Sequence, residues 1–148
     1  MMNKKWFFVF VPFIVVVLFM SCELFGTPDY VGTWTATVGE ASITMEFTRT
    51  TFSVTIDTVD PDTDEALTYV LSGDLAEAAT AGDLDAIIAA VALNGVVLDA
   101  AMMAAFLASY NLTEDQTFTY ATTGDSITVS GDLITELTGE ALITATRS

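Results

Sequence analysis

The chain has 148 residues, of which 20 are Asp or Glu and only 4 are Lys or Arg, so its formal net charge is −16. It has no histidine and a single cysteine, which excludes the common zinc sites, histidine-based catalytic triads and paired-thiol chemistry. The acidic balance also excludes nucleic acid as a partner, because the phosphate backbone would be repelled.

Residues 1–21 have the pattern of an export signal. Lys4 and Lys5 precede an apolar run from Trp6 to Met20, and a positive start followed by a short apolar stretch is typical of a secretory signal peptide. An uncleaved membrane anchor is disfavoured, because spanning a bilayer takes roughly 20 apolar residues and Pro12 interrupts this shorter run.

The segment Phe19-Met20-Ser21-Cys22 resembles the lipobox of bacterial lipoproteins, in the looser form of spirochaetes. In that family the cysteine thiol receives a diacylglycerol and becomes the mature N-terminus. The resemblance implies that Cys22 is lipidated and that the protein is anchored in the bacterial cell envelope, facing the periplasm or the exterior. The alternative, cleavage by ordinary signal peptidase, would leave a free thiol in an oxidising compartment.

Cleavage before Cys22 leaves 148 − 21 = 127 residues, a length that suits one domain, with residues 22–29 as a tether and 30–148 as the folded part. This mature chain keeps two arginines and all twenty acidic residues, 2 − 20 = −18. Membrane contact is therefore predicted through acyl chains and not through a basic patch. The negative charge is predicted to keep copies that are anchored close together from aggregating. Alternatively, it is an adaptation to salty surroundings or serves to capture cations.

The first half of the domain alternates apolar and polar residues with a period of two. Trp34, Ala36 and Val38 fall on one face of the first strand, and threonines fall on the other. Three further strands are predicted at 42–48, 51–58 and 66–73. Together they predict an antiparallel meander with one solvated face.

Alanine, leucine and methionine then dominate residues 74–110, which predicts a helical insert between strands 4 and 5. Three helices are expected, capped by Asp74, Asp83 and Asp99. Strands resume at 116–123 and 126–130, and a last hairpin is predicted from Asp132–Leu137 and Ala141–Thr146. The fold class is thus mainly β, with about eight antiparallel strands.

The domain resembles the lipocalin-like family of small bacterial lipoproteins, which are antiparallel β-barrels. The resemblance rests on Gly32-Thr33-Trp34, on Ser126-Ile127-Thr128-Val129 and on the segment from Ile134 to Leu142. In such barrels the tryptophan plugs one end and an arginine of the last strand lies across it. The resemblance therefore implies barrel closure by Trp34 and Arg147, and the helical insert departs from the family pattern.

The loop after the third strand contains Asp60, Asp62 and Asp64, which alternate as calcium ligands sometimes do. The spacing does not match the helix-loop-helix calcium motif, and a solvated charged turn is favoured over a metal site. No cofactor is predicted. Because the mature chain has no histidine or lysine to activate its hydroxyl groups, it is not expected to be an enzyme.

The helical insert offers a candidate binding site. Five of its apolar residues could line an adaptable pocket for a small apolar ligand, with a plain core role as the alternative. These residues are Ile87, Val91, Met102, Met103 and Phe106. Two functions stay open: a ligand-binding module with an enclosed cavity, or an envelope structural or interaction protein with a filled barrel and an exposed apolar patch.

Overall fold

A computed structural model describes residues 28–76 and 82–148. This part of the chain is mainly β, with nine strands and two short helices. In chain order the elements are β1 Gly32–Val38, β2 Ala41–Phe47, β3 Thr51–Val59, β4 Ala66–Leu75, β5 Asp83–Leu93, β6 Val96–Val97, α1 Ala100–Ser109, β7 Asp115–Thr123, β8 Ser126–Ser130, α2 Asp132–Thr138 and β9 Leu142–Arg147.

The strands form one closed antiparallel sheet. Their order is β4-β3-β2-β1-β9-β8-β7-β5-β6, and β4 also pairs with β5. That additional pairing joins the two sides of the sheet, so that every strand except the short β6 is part of a closed barrel. First and last strands meet in the wall, where Trp34 is opposite Arg147. The predicted antiparallel barrel of about eight strands is confirmed.

Alternate residues of each strand fill the barrel interior. Met45 lies opposite Trp34 on one side and Val54 on the other, and Val54 lies opposite Leu71. All four side chains are fully buried. Burial of each such side chain contributes about 1.5–3 kcal/mol, which makes this inner face the main stabilising feature of the fold. The other large, fully buried side chains are Ile43, Phe47, Leu84, Ile88, Phe118, Ile127, Leu133 and Ile134.

Threonine and aspartate pair directly across strands on the outer wall. The Thr119 hydroxyl donates to Asp83 at 2.9 Å, and the Thr117 hydroxyl donates to Asp85 at 3.0 Å. Both pairs are opposed in the register of β5 and β7. These contacts show how a strongly acidic surface is accommodated on a sheet, since each carboxylate gains a neutral donor from its neighbour.

The second predicted helix, capped by Asp83 and running through Leu93, is wrong, because these residues form strand β5. Leu84, Ala86 and Ile88 are buried, and the residues between them are exposed, which is a period of two. Helix propensity favours alanine by only a few tenths of a kcal/mol over most residues. Backbone pairing with both β4 and β7 outweighs that local preference.

Strand β4 ends at Leu75, two residues beyond the predicted end of the fourth strand at Gly73. Asp74, proposed as the cap of the first predicted helix, lies within β4; residues 77–81, where the rest of that helix was predicted, are outside the described residues. A bulge bends β5 opposite Gly73, with Ala89 as the extra residue. A Cβ on Gly73 would lie 1.8 Å from the Ile87 carbonyl oxygen, so only glycine fits there.

The third predicted helix is present as α1. The Asp99 carboxylate accepts a hydrogen bond from the Met102 amide at 2.8 Å, which is the expected N-cap interaction. No helix among the described residues is both long enough and apolar enough to cross a membrane.

The predicted strand at Asp132–Leu137 is wrong, because this segment forms helix α2. Leu133 and Ile134 are buried against the barrel, and Gly139 ends the helix in a left-handed conformation with φ of 76°. In a helix, the adjacent residues Leu133 and Ile134 can lie on one face together with Leu137, one turn later. In a strand, two adjacent residues point to opposite faces, so both could not be buried on the same side. Strand β5 takes the missing place in the barrel, which explains why the predicted number of strands was right.

Candidate functional site

One end of the barrel, here called the closed end, is covered by Trp34 and its neighbours. The Trp34 ring is completely buried, and its indole nitrogen donates to the Tyr30 carbonyl oxygen at 2.8 Å. The Arg147 guanidinium carbon lies 4.3 Å from the centre of the indole ring. Arg147 also donates to the carbonyl oxygens of Val31 at 3.1 Å and Asp29 at 3.2 Å. These contacts tie the last strand to the segment that enters the barrel.

Aromatic rings fill the space beneath this cover. Tyr30 packs edge to face against Phe47 and Tyr120, and Phe118 packs against Phe47 and Phe52. Such pairs contribute about 0.5–1.5 kcal/mol each beyond the area that they bury. Among the described residues, the interior of the closed end is therefore a packed aromatic plug.

The opposite end, here called the open end, is built differently. The turn between β1 and β2, strands β3 and β4, the residue that follows α1 and the end of α2 surround a cavity of about 240 Å³, here called the mouth cavity. The strands and their turns contribute Val38, Glu40, Ala41, Ile56, Thr58 and Tyr69 to its lining. The helices contribute Tyr110, Leu137 and Thr138.

A cluster of three aromatic residues stands beside the mouth cavity. Phe106 packs on Tyr110 with ring centres 5.0 Å apart and on Tyr69 at 5.9 Å. Burial raises the pKa of Tyr69, and a hydrogen bond with Tyr110 and the negative charge of Asp60 raise that pKa further. The Tyr69 phenol is therefore held neutral, and α1 is attached to the barrel through these rings.

Charge is distributed unevenly between the two ends. Both arginines of the chain are at the closed end, Arg49 in the turn between β2 and β3 and Arg147 on β9. No lysine or arginine lies in the turns and helices of the open end. The acidic residues in those turns and helices are Glu40, Asp60, Asp62, Asp64, Glu65, Asp132, Glu136 and Glu140.

Helix α1 carries an exposed apolar face, here called the α1 surface together with β6 before it. Val96, Val97 and Met102 are 66%, 67% and 55% exposed. The ten residues of α1 include no charged side chain, and only Leu107 is buried. A helix that is apolar on all sides is normally covered by other parts of a protein, so this surface is unusual in a chain of such high charge.

None of the five residues predicted to line an apolar pocket is in the lining of the mouth cavity. Val91 is buried in the barrel core, whereas Ile87 and Met102 are 51% and 55% exposed. Met103 and Phe106 pack at the edge of the core. The prediction placed all five on helices, and the strand conformation of β5 turns Ile87 to the outer wall.

The three aspartates considered as metal ligands form a solvated turn between β3 and β4. The Asp60 carboxylate accepts a hydrogen bond from the Asp62 amide at 2.8 Å, and Asp64 adopts a positive φ of 56°. Across residues 28–76 and 82–148, no three acidic, histidine or cysteine side chains converge in a way that could hold a metal ion. Cys22, the predicted lipidation site, lies outside the described residues.

Sequence reasoning did not identify the mouth cavity. Tyr69 lies in the fourth predicted strand, Tyr110 at the end of the alanine-rich segment and Glu40 between the first two predicted strands, and no local pattern connects them. They converge because the ends of β1 to β4 meet the end of α1. Comparisons of the chain with known protein families, with curated proteins and with solved structures find no match.

Proposed function

We propose that this protein is a non-enzymatic lipoprotein of the bacterial cell envelope that presents an interaction surface on a rigid, filled barrel. The filled interior carries the proposal. Large side chains such as Trp34, Phe47 and Phe118 occupy the space in which a barrel protein would enclose an apolar ligand. The filled interior gives less support to the first of the two functions considered, a small apolar ligand held between barrel and helices, and the exposed α1 surface supports the interaction function.

The direction of the chain supports an orientation. Its first described residues, from Pro28 to Val31, lie against Arg147 at the closed end. Cys22 is six positions before Pro28, and an extended chain spans at most about 3.6 Å per residue, so the lipid would lie within about 20 Å of that end. In this arrangement the closed end faces the membrane, and the open end and the α1 surface face away from it.

Anchoring is tested by the mass of the mature protein. We expect an N-terminus at Cys22 that carries the mass of a diacylglycerol and acyl chain, and recovery of the protein in the membrane fraction. The Cys22→Ser variant should remain unprocessed or leave the membrane fraction. A mature wild-type N-terminus without lipid would refute the anchor.

The interaction function is tested by site-specific photo-crosslinking in the host. A photoreactive residue at Val97 should give discrete adducts, whereas the same residue at Thr144, which is exposed on the outer wall of β9, should give none. Adding Met102→Glu should reduce the Val97 adducts by about ten-fold, because it places a charge in an apolar contact. Equal adducts at both positions would contradict an interface at the α1 surface.

A further inference from the structure

We infer that the mouth cavity binds a small organic cation, an ammonium group that carries short apolar substituents. This inference goes beyond the proposed interaction function and does not depend on it, because it concerns the open end and not the α1 surface. Four observations support this inference: the size of the cavity, its aromatic lining, the Glu40 carboxylate in that lining and the negative electrostatic potential of the open end.

The size of the mouth cavity limits its ligand. Its volume of about 240 Å³ is below the range of about 300–1,000 Å³ that is typical of pockets for drug-sized molecules. A ligand of about ten or fewer non-hydrogen atoms fits this space. A fatty acid or a sugar chain does not.

The lining combines an apolar wall with aromatic rings. Val38, Ile56 and Leu137 form the apolar part, and Tyr69 and Tyr110 supply the rings. Aromatic rings attract ammonium groups through their electron-rich faces, and several rings around one cation are the usual way in which proteins bind quaternary ammonium ligands. The Phe106 ring packs on both tyrosine rings, with centres 5.9 Å from Tyr69 and 5.0 Å from Tyr110, and so holds them together before a ligand arrives.

The electrostatic environment selects for a positive charge. Glu40 lines the cavity, and Asp60 lies close enough to Tyr69 to raise the pKa of its phenol. Among residues 28–76 and 82–148, no basic side chain at the open end competes for these carboxylates. A cleft with one sign of charge concentrates ligands of the opposite sign, so anions are repelled and cations are drawn in.

The same lining argues against a metal ion. Calcium takes six to eight oxygen ligands and magnesium an octahedral set, whereas the only carboxylate in the lining is that of Glu40. An ammonium group that carries methyl groups needs fewer polar contacts, and its substituents can pack on Val38 and Leu137. The chemistry of the cavity therefore fits an organic cation better than an inorganic one.

The test compares choline with 3,3-dimethylbutan-1-ol, which has the same shape but no charge. Calorimetric titration of the full chain, in detergent and at low salt, should give a Kd for choline of about 1 mM or lower. The neutral alcohol should bind at least about ten-fold more weakly. Equal affinity of the two probes, or no binding of choline, would overturn the inference, as would stronger binding of Ca²⁺ that displaces choline.

Matched variants locate the site. Glu40→Gln should weaken choline binding about five- to ten-fold, whereas Glu140→Gln, which removes a charge at the same end but outside the lining, should change it less than about two-fold. Tyr110→Leu should weaken choline binding by a similar factor and leave binding of the alcohol nearly unaffected.

Circular dichroism melting of each variant ensures that the comparison is made on folded protein. Equal effects of the two glutamate substitutions would show that choline does not occupy the mouth cavity. Because crosslinking at Val97 needs no small ligand, failure of one proposal leaves the other to be judged separately.

Discussion

At the closed end the chain covers the barrel with Trp34, Tyr30 and Arg147, whereas at the open end it uses two short helices and leaves a cavity. The closed end buries its aromatic rings and carries both arginines. The open end has half-buried tyrosines, acidic turns and no basic side chain. Aromatic packing is therefore concentrated where the described chain enters the barrel, and polar groups around a cavity are concentrated at the far end.

This difference follows from how each end is assembled. The closed end is formed by neighbours in the sheet, since β1 and β9 are paired at Trp34 and Arg147. The open end is formed by segments from different parts of the chain, and α1 is attached to it mainly through Leu107 and the rings of Phe106 and Tyr110. Loss of a group at the closed end should therefore affect the whole barrel, and loss at the open end should act locally.

The largest expected effect is that of Trp34→Ala. The ring is fully buried and in contact with Arg147, so its removal leaves a large cavity and should lower the free energy of unfolding by about 3–5 kcal/mol. Leu137→Ala at the open end should cost only about 1 kcal/mol, because that side chain is half-buried beside an existing cavity. Urea denaturation followed by circular dichroism measures both. Similar losses would break the contrast between the ends.

Arg147→Ala should have the next largest effect, about 1–2 kcal/mol. It removes the contact with the indole ring and two hydrogen bonds to backbone carbonyls, although the guanidinium is partly solvated. Arg147→Lys keeps the charge but not the paired donors and should recover part of the loss. The same denaturation series measures this effect. If Arg147→Ala left the free energy of unfolding unchanged, the stability of the closed end would not depend on Arg147.

Asp99→Ala tests whether the open end unfolds locally. The substitution removes the N-cap of α1 and should destabilise that helix by about 1 kcal/mol. Hydrogen exchange should accelerate in α1 by about five-fold, while amides of β2 and β3 remain protected. If exchange accelerated equally in the barrel strands, α1 would be part of the cooperative core.

The smallest effect is expected from the titration of Tyr69. Because the folded state raises the pKa of this phenol above 10.0, the resulting stabilisation is complete below pH 10 and is lost as the pH rises through the folded-state pKa. Tyr69→Phe removes this group, so the difference in unfolding free energy between variant and wild type should be constant from pH 8 to about 9.5 and change only at higher pH. A difference that changed below pH 9 would point to another group.

The alternation of apolar and polar residues was sufficient to predict antiparallel strands with one apolar face, and closure into a barrel was expected only from the resemblance to lipocalin-like lipoproteins. Ile43, Met45 and Phe47 on β2, and Phe52, Val54 and Ile56 on β3, alternate with polar residues in the sequence, and all six are buried. A strand that is half buried must alternate, since a shift of one residue would turn the whole apolar set into solvent. Asp99 likewise marks the start of α1, because its carboxylate contacts the amide of Met102, which is only three residues later in the sequence.

The errors occurred where the local pattern was weak. In β5 the alanine-rich sequence favours a helix, but the buried set of Leu84, Ala86 and Ile88 alternates like that of any other strand. In α2 the apolar residues Leu133, Ile134 and Leu137 suit a helix, although a strand of the last hairpin was predicted there. In both segments the outcome depends on which partner is available in space, and the sequence of the segment alone does not contain that information.

By itself, the sequence determined the fold class, the inner face of β1 to β4 and of β7 to β9, and the distribution of charge, because each depends on the residue types within one short segment. Only the tertiary structure decided that β5 completes the barrel, that Tyr69, Tyr110 and Glu40 meet at one cavity, and that α1 remains exposed. These features depend on pairing and packing between residues far apart in the chain, whose free energies exceed the small local preferences of alanine or threonine.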